Sequence, residues 1–173
     1  MKYCLIILMS VFGTMNAQTP PTIKWHTFKE VEALQNTKQK KIFLDVFTDW
    51  CGWCKKMDAT TFTHPVIVKL MNQYFYAVKL DAENAEVINY KGTAYTKPND
   101  KKQTPNDFAA MLLNGKMSYP TTVYLDEELN SLGPVPGYLE PKTMEKILHY
   151  FGENIYKKLS WPDYEKTFVS EIK

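Results

Sequence analysis

Ile42 to Phe47 is almost wholly apolar and β-branched or aromatic, with one acid, Asp45, inside it. Such a run, too short for a helix and without polar alternation, predicts a strand covered on both faces. Phe75 to Asp81 (FYAVKLD) reads as a second buried strand. Between them, Cys51 onward opens one helix, with Lys55, Met57 and Asp58 as tolerated helix residues. Thr63-His-Pro65 opens another that runs to about Gln73, with proline suited to the first turn. Strand, helix, strand in this order is a βαβ unit. Upstream, Thr27-Phe-Lys-Glu30 is a capping-box pattern and predicts a helix to about Lys38.

The pattern after Asp81 is looser. Asn84 to Ile88 reads as a short helical turn, and Tyr90-Lys-Gly-Thr93 as the close of a small hairpin. Thr104-Pro-Asn-Asp107 caps a helix that Gly115 ends. Thr121 to Asp126 is a further strand, and Leu132 to Pro136 a weaker one whose prolines suit only an edge. Pro141 to Leu159 reads as one long helix with Met144, Ile147, Leu148, Phe151 and Ile155 on a single face. A last short helix after Ser160 presents Trp161, Tyr164 and Phe168 to the core.

The start of the chain has a different character. MKYCLIILMSVFGTMNA, residues 1–17, combines Lys2, a short apolar run and Ala17 before a polar linker with two prolines. This is the pattern of an export signal, and its apolar run is far shorter than the roughly 20 residues that span a bilayer. Cleavage after Ala17 leaves residues 18–173 as one domain, exported to the periplasm or secreted, with no membrane span. It also removes Cys4, so that only Cys51 and Cys54 of the three cysteines remain.

Charge narrows the partners. The formal net charge is +2, and all 21 basic residues are lysine. A near-neutral chain without arginine lacks the bidentate guanidinium donors that phosphate and nucleic-acid recognition use, so no nucleic-acid partner is expected.

TDWCGWCK, residues 48–55, holds the chemistry. Structural zinc needs four ligands, and His26, His64 and His149 are not spaced as a ligand pair, so no metal is expected. A disulfide between residues three apart closes almost no loop and contributes little stability. A pair this close suits a bond that opens and closes. Because it follows a buried strand and opens a helix, Cys51 sits among unpaired N–H groups at the positive helix end. That setting lowers a thiol pKa below its free value of about 8.5. Cys51 is therefore the expected nucleophile and Cys54, one turn further in, the expected resolving thiol. Trp50 and Trp53 offer apolar contact to a substrate chain. Asp45, six residues before Cys51, is costly in a buried strand unless paired or protonated; beneath the helix it is placed to exchange the proton of Cys54.

Taken together, these landmarks resemble the thioredoxin family over most of Lys24 to Phe151. LDVFTDWCGWCK matches its strand, buried acid and Trp-Cys-x-x-Cys-Lys segment, with Asp45, Trp50, Cys51, Cys54 and Lys55 in register. Lys79 falls where the family has a lysine near the acid, Tyr119-Pro120-Thr121 where it holds a cis proline, and Gly137 where its last strand carries glycine. TDWCGWCKKMDATTFTHPVIVKLMNQYF resembles exported thioredoxin-like proteins and the C-terminal domain of the membrane disulfide reductase more than it resembles thioredoxin itself. The resemblance implies an α/β thioredoxin fold, a central mixed β-sheet flanked by helices. It also implies an insertion at about 82–118 before the cis-Pro strand and a C-terminal helical extension at about 157–173. It implies a cis Pro120, with the Tyr119 backbone offered to an extended substrate peptide. The expected activity is that of an extracytoplasmic thiol–disulfide oxidoreductase without a bound cofactor, reducing protein disulfides through a Cys51–Cys54 dithiol that an upstream dithiol donor recharges. The Gly52-Trp53 dipeptide departs from thioredoxin's Gly-Pro and leaves open an oxidase or isomerase of the same fold, beside a non-catalytic binding module.

Overall fold

The computed structural model describes residues 21–99 and 101–173; the export-signal reading of residues 1–17 lies outside them. The chain runs β1 (Trp25–His26), α1 (Phe28–Gln35), β2 (Lys41–Phe47), α2 (Gly52–Thr60), α3 (Pro65–Tyr74) and β3 (Phe75–Asp81). It continues through β4 (Ile88–Tyr90), β5 (Thr93–Tyr95), α4 (Asp107–Leu112), β6 (Thr121–Leu125), β7 (Ser131–Pro136), α5 (Pro141–Gly152) and α6 (Trp161–Thr167). Five strands form one mixed sheet in the order β1-β3-β2-β6-β7. β1, β3 and β2 are parallel, whereas β6 and β7 run antiparallel to their neighbours. Pro134 and Pro136 sit in β7, at the sheet's edge, where a missing N–H is tolerated.

Each strand residue faces one of two cores. From β2, Ile42, Leu44 and Val46 pack with Phe28 and Val31 of α1 and with Phe108 and Leu112 of α4. Phe43 faces the other way, against Met57 of α2, Ile67 and Met71 of α3, and Met144 and Leu148 of α5. Asp45, two residues on from Phe43, shares that second face. It stands in register with Lys79 of β3 on one side and Thr122 of β6 on the other. The central strand thus carries one carboxylate into the layer beneath α2.

Several elements differ from the sequence reading. Ile88 begins a strand, not the end of a helical turn, and β4 pairs antiparallel with β5 around Lys91-Gly92. The hairpin buries Ile88 and Tyr90 against Phe28 and Phe108, so the segment 82–118 supplies core. α1 stops at Gln35, three residues before the expected end, while its capping box forms with Glu30 N donating to Thr27 Oγ1 at 3.2 Å. The long final helix is broken: α5 ends at Gly152, Asn154 takes a left-handed conformation (φ 60°), and a 3-10 turn follows at Ile155–Lys157. Gly152 itself is required where α5 meets α3, since a Cβ there would lie 2.8 Å from the Tyr74 ring.

Beyond α5 the chain returns to it. Tyr164 and Trp161 of α6 pack on Tyr150. Glu145 of α5 is fully buried, and its carboxylate accepts from the Ser170 hydroxyl and from Glu171 N at 2.7 Å. Truncation of Phe108, buried between α1 and the hairpin, tests whether the segment 82–118 is part of the cooperative unit. Phe108→Ala is expected to lower unfolding free energy by about 3–5 kcal/mol, read from urea denaturation.

Candidate active site

The site begins where β2 ends. Thr48, Asp49 and Trp50 turn the chain, Cys51 N donates to Thr48 O at 3.1 Å, and Cys51 becomes the N-cap of α2 in an extended conformation. An N-cap residue offers a side-chain acceptor to the unpaired amides of the first turn. Here the acceptor is sulfur: Cys54 N donates to Cys51 Sγ at 3.1 Å. Cys51 and Cys54 are joined by a disulfide with their Cα atoms 5.3 Å apart. Cys51 is 5% exposed and Cys54 2%, so an incoming thiol or disulfide meets Cys51 first.

Aromatic side chains stand on either side of the pair. Trp50 and Trp53 are each 57% exposed. The Trp50 indole N–H donates to Glu83 Oε1 at 2.8 Å, and its ring meets the edge of Tyr119 at 5.8 Å between centroids. Tyr119 precedes Pro120 through a cis peptide bond, so this contact brings the cis-proline loop to the cysteines. Trp53 lies 5.4 Å from Tyr138, with Lys56 Nζ above both rings at 4.7 and 5.0 Å. Gly137 holds a positive φ of 98° just past β7, and its N–H donates to Pro120 O at 2.8 Å.

Beneath α2 lies the charge cluster. Asp45 is fully buried; its Oδ2 accepts from Lys79 Nζ at 2.6 Å, while Oδ1 has no hydrogen-bond partner. Lys79 also pairs with the half-exposed Asp58 of α2 and lies over the rings of Trp25, Phe47 and Phe62 at 4.9–5.2 Å. Burial raises the Asp45 carboxyl pKa to about 6, against the pull of Lys79 and helped by the negative Asp58. Near Trp50, burial likewise raises Asp81, with Asp49 and Glu83 adding repulsion and Lys97 opposing it. Tyr119 is raised by burial and by Glu83 and Asp81.

Of the residues singled out from sequence, Cys51 joins Cys54, Asp45 joins Lys79, and Trp50 beside Cys51 meets Tyr119 of the cis-Pro120 loop, while Trp53 stands between the cysteines. Lys55 is exposed on α2 and does not join the acid, whose cation is Lys79. Asp58, Glu83, Lys56 and Tyr138 were not singled out. For Asp58 there was a signal: it follows Cys54 by four residues, which puts it on the helix face that carries the buried thiol. The histidines have local roles: His64 caps α3 by accepting from Val66 N, His149 hydrogen-bonds Glu153, and His26 packs on Tyr76.

A family model described as a thioredoxin-like domain matches residues 28–152. The chain belongs to that family. Among characterised relatives, the thiol:disulfide interchange protein DsbD of Salmonella typhi is 29% identical over 82 residues, 44% of this chain. DsbD of Cronobacter sakazakii is 24% identical over 145 residues, or 80% of the chain. The chain spans only 14% and 22% of the lengths of those two proteins. Among solved structures, a thioredoxin-fold protein from Helicobacter pylori superposes with a TM-score of 0.55 at 16% identity, covering 74% of this chain and 79% of that one. A thioredoxin from Thermus thermophilus gives 0.55 at 15% identity over 75% and 87%. These likenesses establish the fold, and helical structure follows α5 in this chain. Among the described residues no helix is long and apolar enough to cross a membrane.

The raised carboxyl has a signed consequence for stability. Between the ordinary carboxyl pKa of 3.8 and the folded value of about 6, the native chain binds more protons than the unfolded one. Its stabilising contribution is therefore full below about 4 and lost as pH rises through about 6. Urea unfolding of the oxidised protein should show this decline, and Asp45→Asn should flatten it.

Proposed function

We propose that this chain is an exported thiol–disulfide oxidoreductase that reduces protein disulfides through the Cys51/Cys54 pair. The observation that carries the reading is the disulfide at the mouth of α2, with a protonatable, fully buried carboxyl on the sheet face that this helix covers. The name of the DsbD relatives, thiol:disulfide interchange protein, agrees with the chemistry. The amino-terminal pattern of residues 1–17 supports export to the periplasm or beyond.

In the reduced enzyme, Cys51 is the nucleophile. Its thiolate is stabilised by the α2 amides, Cys54 N–H among them. It attacks one sulfur of a substrate disulfide, forming a mixed disulfide and releasing a substrate thiolate. Cys54 then loses its proton to Asp45 and attacks Cys51 Sγ. That step closes the Cys51–Cys54 bond and releases the second substrate thiolate, which takes up a proton. Substrate has been reduced by two electrons, and an upstream dithiol donor returns them to the enzyme. No bound cofactor takes part. The cis-proline loop with Tyr119 and Pro120 receives the extended substrate peptide, and Trp50 and Trp53 grip it on either side of the sulfur. Lys79 holds the acid, and Lys55 contributes positive charge at the surface of α2.

Direction is set by the relative stability of dithiol and disulfide, to which Gly52-Trp53 contributes. Equilibration with glutathione should give a potential near about −270 mV, the reductase range; a value near about −120 mV would mark a disulfide oxidase. Cys51→Ser should abolish insulin-disulfide reduction, whereas activity that survives it would leave a binding module. Asp45→Asn should slow decay of the mixed disulfide by roughly 10²-fold at neutral pH while leaving its formation near wild type. Equal slowing of both steps, in rapid-quench measurements, would remove Asp45 as proton acceptor.

A further inference from the structure

Besides Asp45, the face of the sheet beneath α2 carries two buried hydroxyls that the reaction above leaves unused. Asp45 of β2 stands opposite Thr122 of β6, and Phe43 stands opposite Tyr124. Residues two apart on a strand point the same way, so Asp45, Thr122 and Tyr124 form one polar strip. All three are fully buried. The phenol feels the acid, for Tyr124 is raised by burial and further by the negative Asp45.

The strip is incompletely bonded. Thr122 Oγ1 donates to Tyr124 Oη at 3.4 Å, and Tyr124 Oη donates to Met144 Sδ at 3.7 Å. Both contacts are long, and the second ends on a weak acceptor. Asp45 Oδ1, in the same strip, accepts nothing. Burying a hydroxyl without a good partner costs free energy that valine at 122 or phenylalanine at 124 would avoid. Directly opposed antiparallel residues have Cβ atoms about 4.5–5.5 Å apart, within reach of one side-chain rotation.

We propose that Thr122 is a positioning residue for the resolving step: its hydroxyl swings from Tyr124 to Asp45 Oδ1 whenever that carboxylate is charged. Tyr124 backs the movement. Hydroxyl hydrogens rotate, so Tyr124 turns its proton from Met144 to Thr122 Oγ1 as Thr122 gives its own to Asp45. Each group donates one hydrogen in either arrangement, and no proton is gained or lost. The titratable groups around Asp45 are then Lys79 from β3, Asp58 of α2 through that lysine, and Tyr124 from β6 beside the Thr122 hydroxyl. Lys79 holds one carboxylate oxygen permanently, while Thr122 attends the other only in the charged state. The carboxylate is thereby kept available as a base near neutral pH despite its burial.

This inference rests on Asp45 being the proton acceptor for Cys54, and the experiment separates the two. The Asp45 carboxyl is titrated by its carbon-13 shift in the oxidised full-length protein, where no exchange chemistry occurs. Thr122→Val, nearly the same shape, should raise the midpoint by about one unit, the scale of one lost hydrogen bond to a charged group. Thr122→Ala should move it the same way, Tyr124→Phe by less, and Thr122→Ser should restore the wild-type value. In single-turnover decay of the mixed disulfide, the pH inflection should follow by the same amount. A wild-type midpoint in both Thr122→Val and Thr122→Ala overturns the proposal. Should the midpoint shift while Asp45→Asn leaves the decay rate unchanged, the bond to Thr122 would stand. The assignment to the resolving step would then fall together with the acceptor role of Asp45.

Discussion

A carboxylate taken out of water is one of the most expensive groups a protein core can hold, and the architecture around Asp45 is organised by that cost. The acid sits on the central strand of the sheet with no exposed surface. The parallel neighbour β3 supplies Lys79 at the same level, and the overlying α2 supplies Asp58 to share that cation. Lys79 in turn is only partly hydrated; three aromatic faces surround it and take the place of water. The layer thus holds a buried carboxyl, raised to about 6, on the sheet face beneath α2.

The sulfur pair depends on the same strand from the other end. β2 delivers the chain to a tight turn, and the Cys54 amide in the first turn of α2 donates to Cys51 Sγ. The sulfur pair and the buried carboxyl are thus both positioned by β2 and its junction with α2. The walls of the site come from elsewhere: Tyr119 from the loop before β6, Tyr138 from the loop after β7, and Glu83 from the loop between β3 and β4. Such an arrangement lets the rim vary without disturbing the junction.

Much of this could be read from residue order because the informative signals are local. KIFLDVF and FYAVKLD are dense in strand formers, the capping box marks α1, and the paired cysteines fall at a strand-to-helix boundary. What escaped has equally physical reasons. β1 is two residues long, too short to show a period. The break at Asn154 was hidden because Ile155 continues the apolar face of α5, and only the left-handed backbone reveals it. Asn84 to Ile88 is polar enough to suggest a turn, yet Ile88 and Tyr90 are claimed by a core whose other members lie far away in sequence. Asp58 looks like any surface acid until Lys79 is brought to it by the parallel pairing of β2 and β3. Contacts across strands are the information a linear pattern carries least.

The anchoring of Glu145 has a consequence of its own. A fully buried carboxylate on α5, held by one hydroxyl and one amide and, among the described residues, by no lysine, makes the closing stretch of chain a ligand bound in cis. Its attachment to the domain fixes a high effective concentration, so docking costs far less association entropy than a separate peptide would pay. The helical extension is therefore tethered twice, by its aromatic seam with Tyr150 and by this terminal clasp. A detached copy of the same segment, offered in solution, would have to compete against an occupant that never diffuses away.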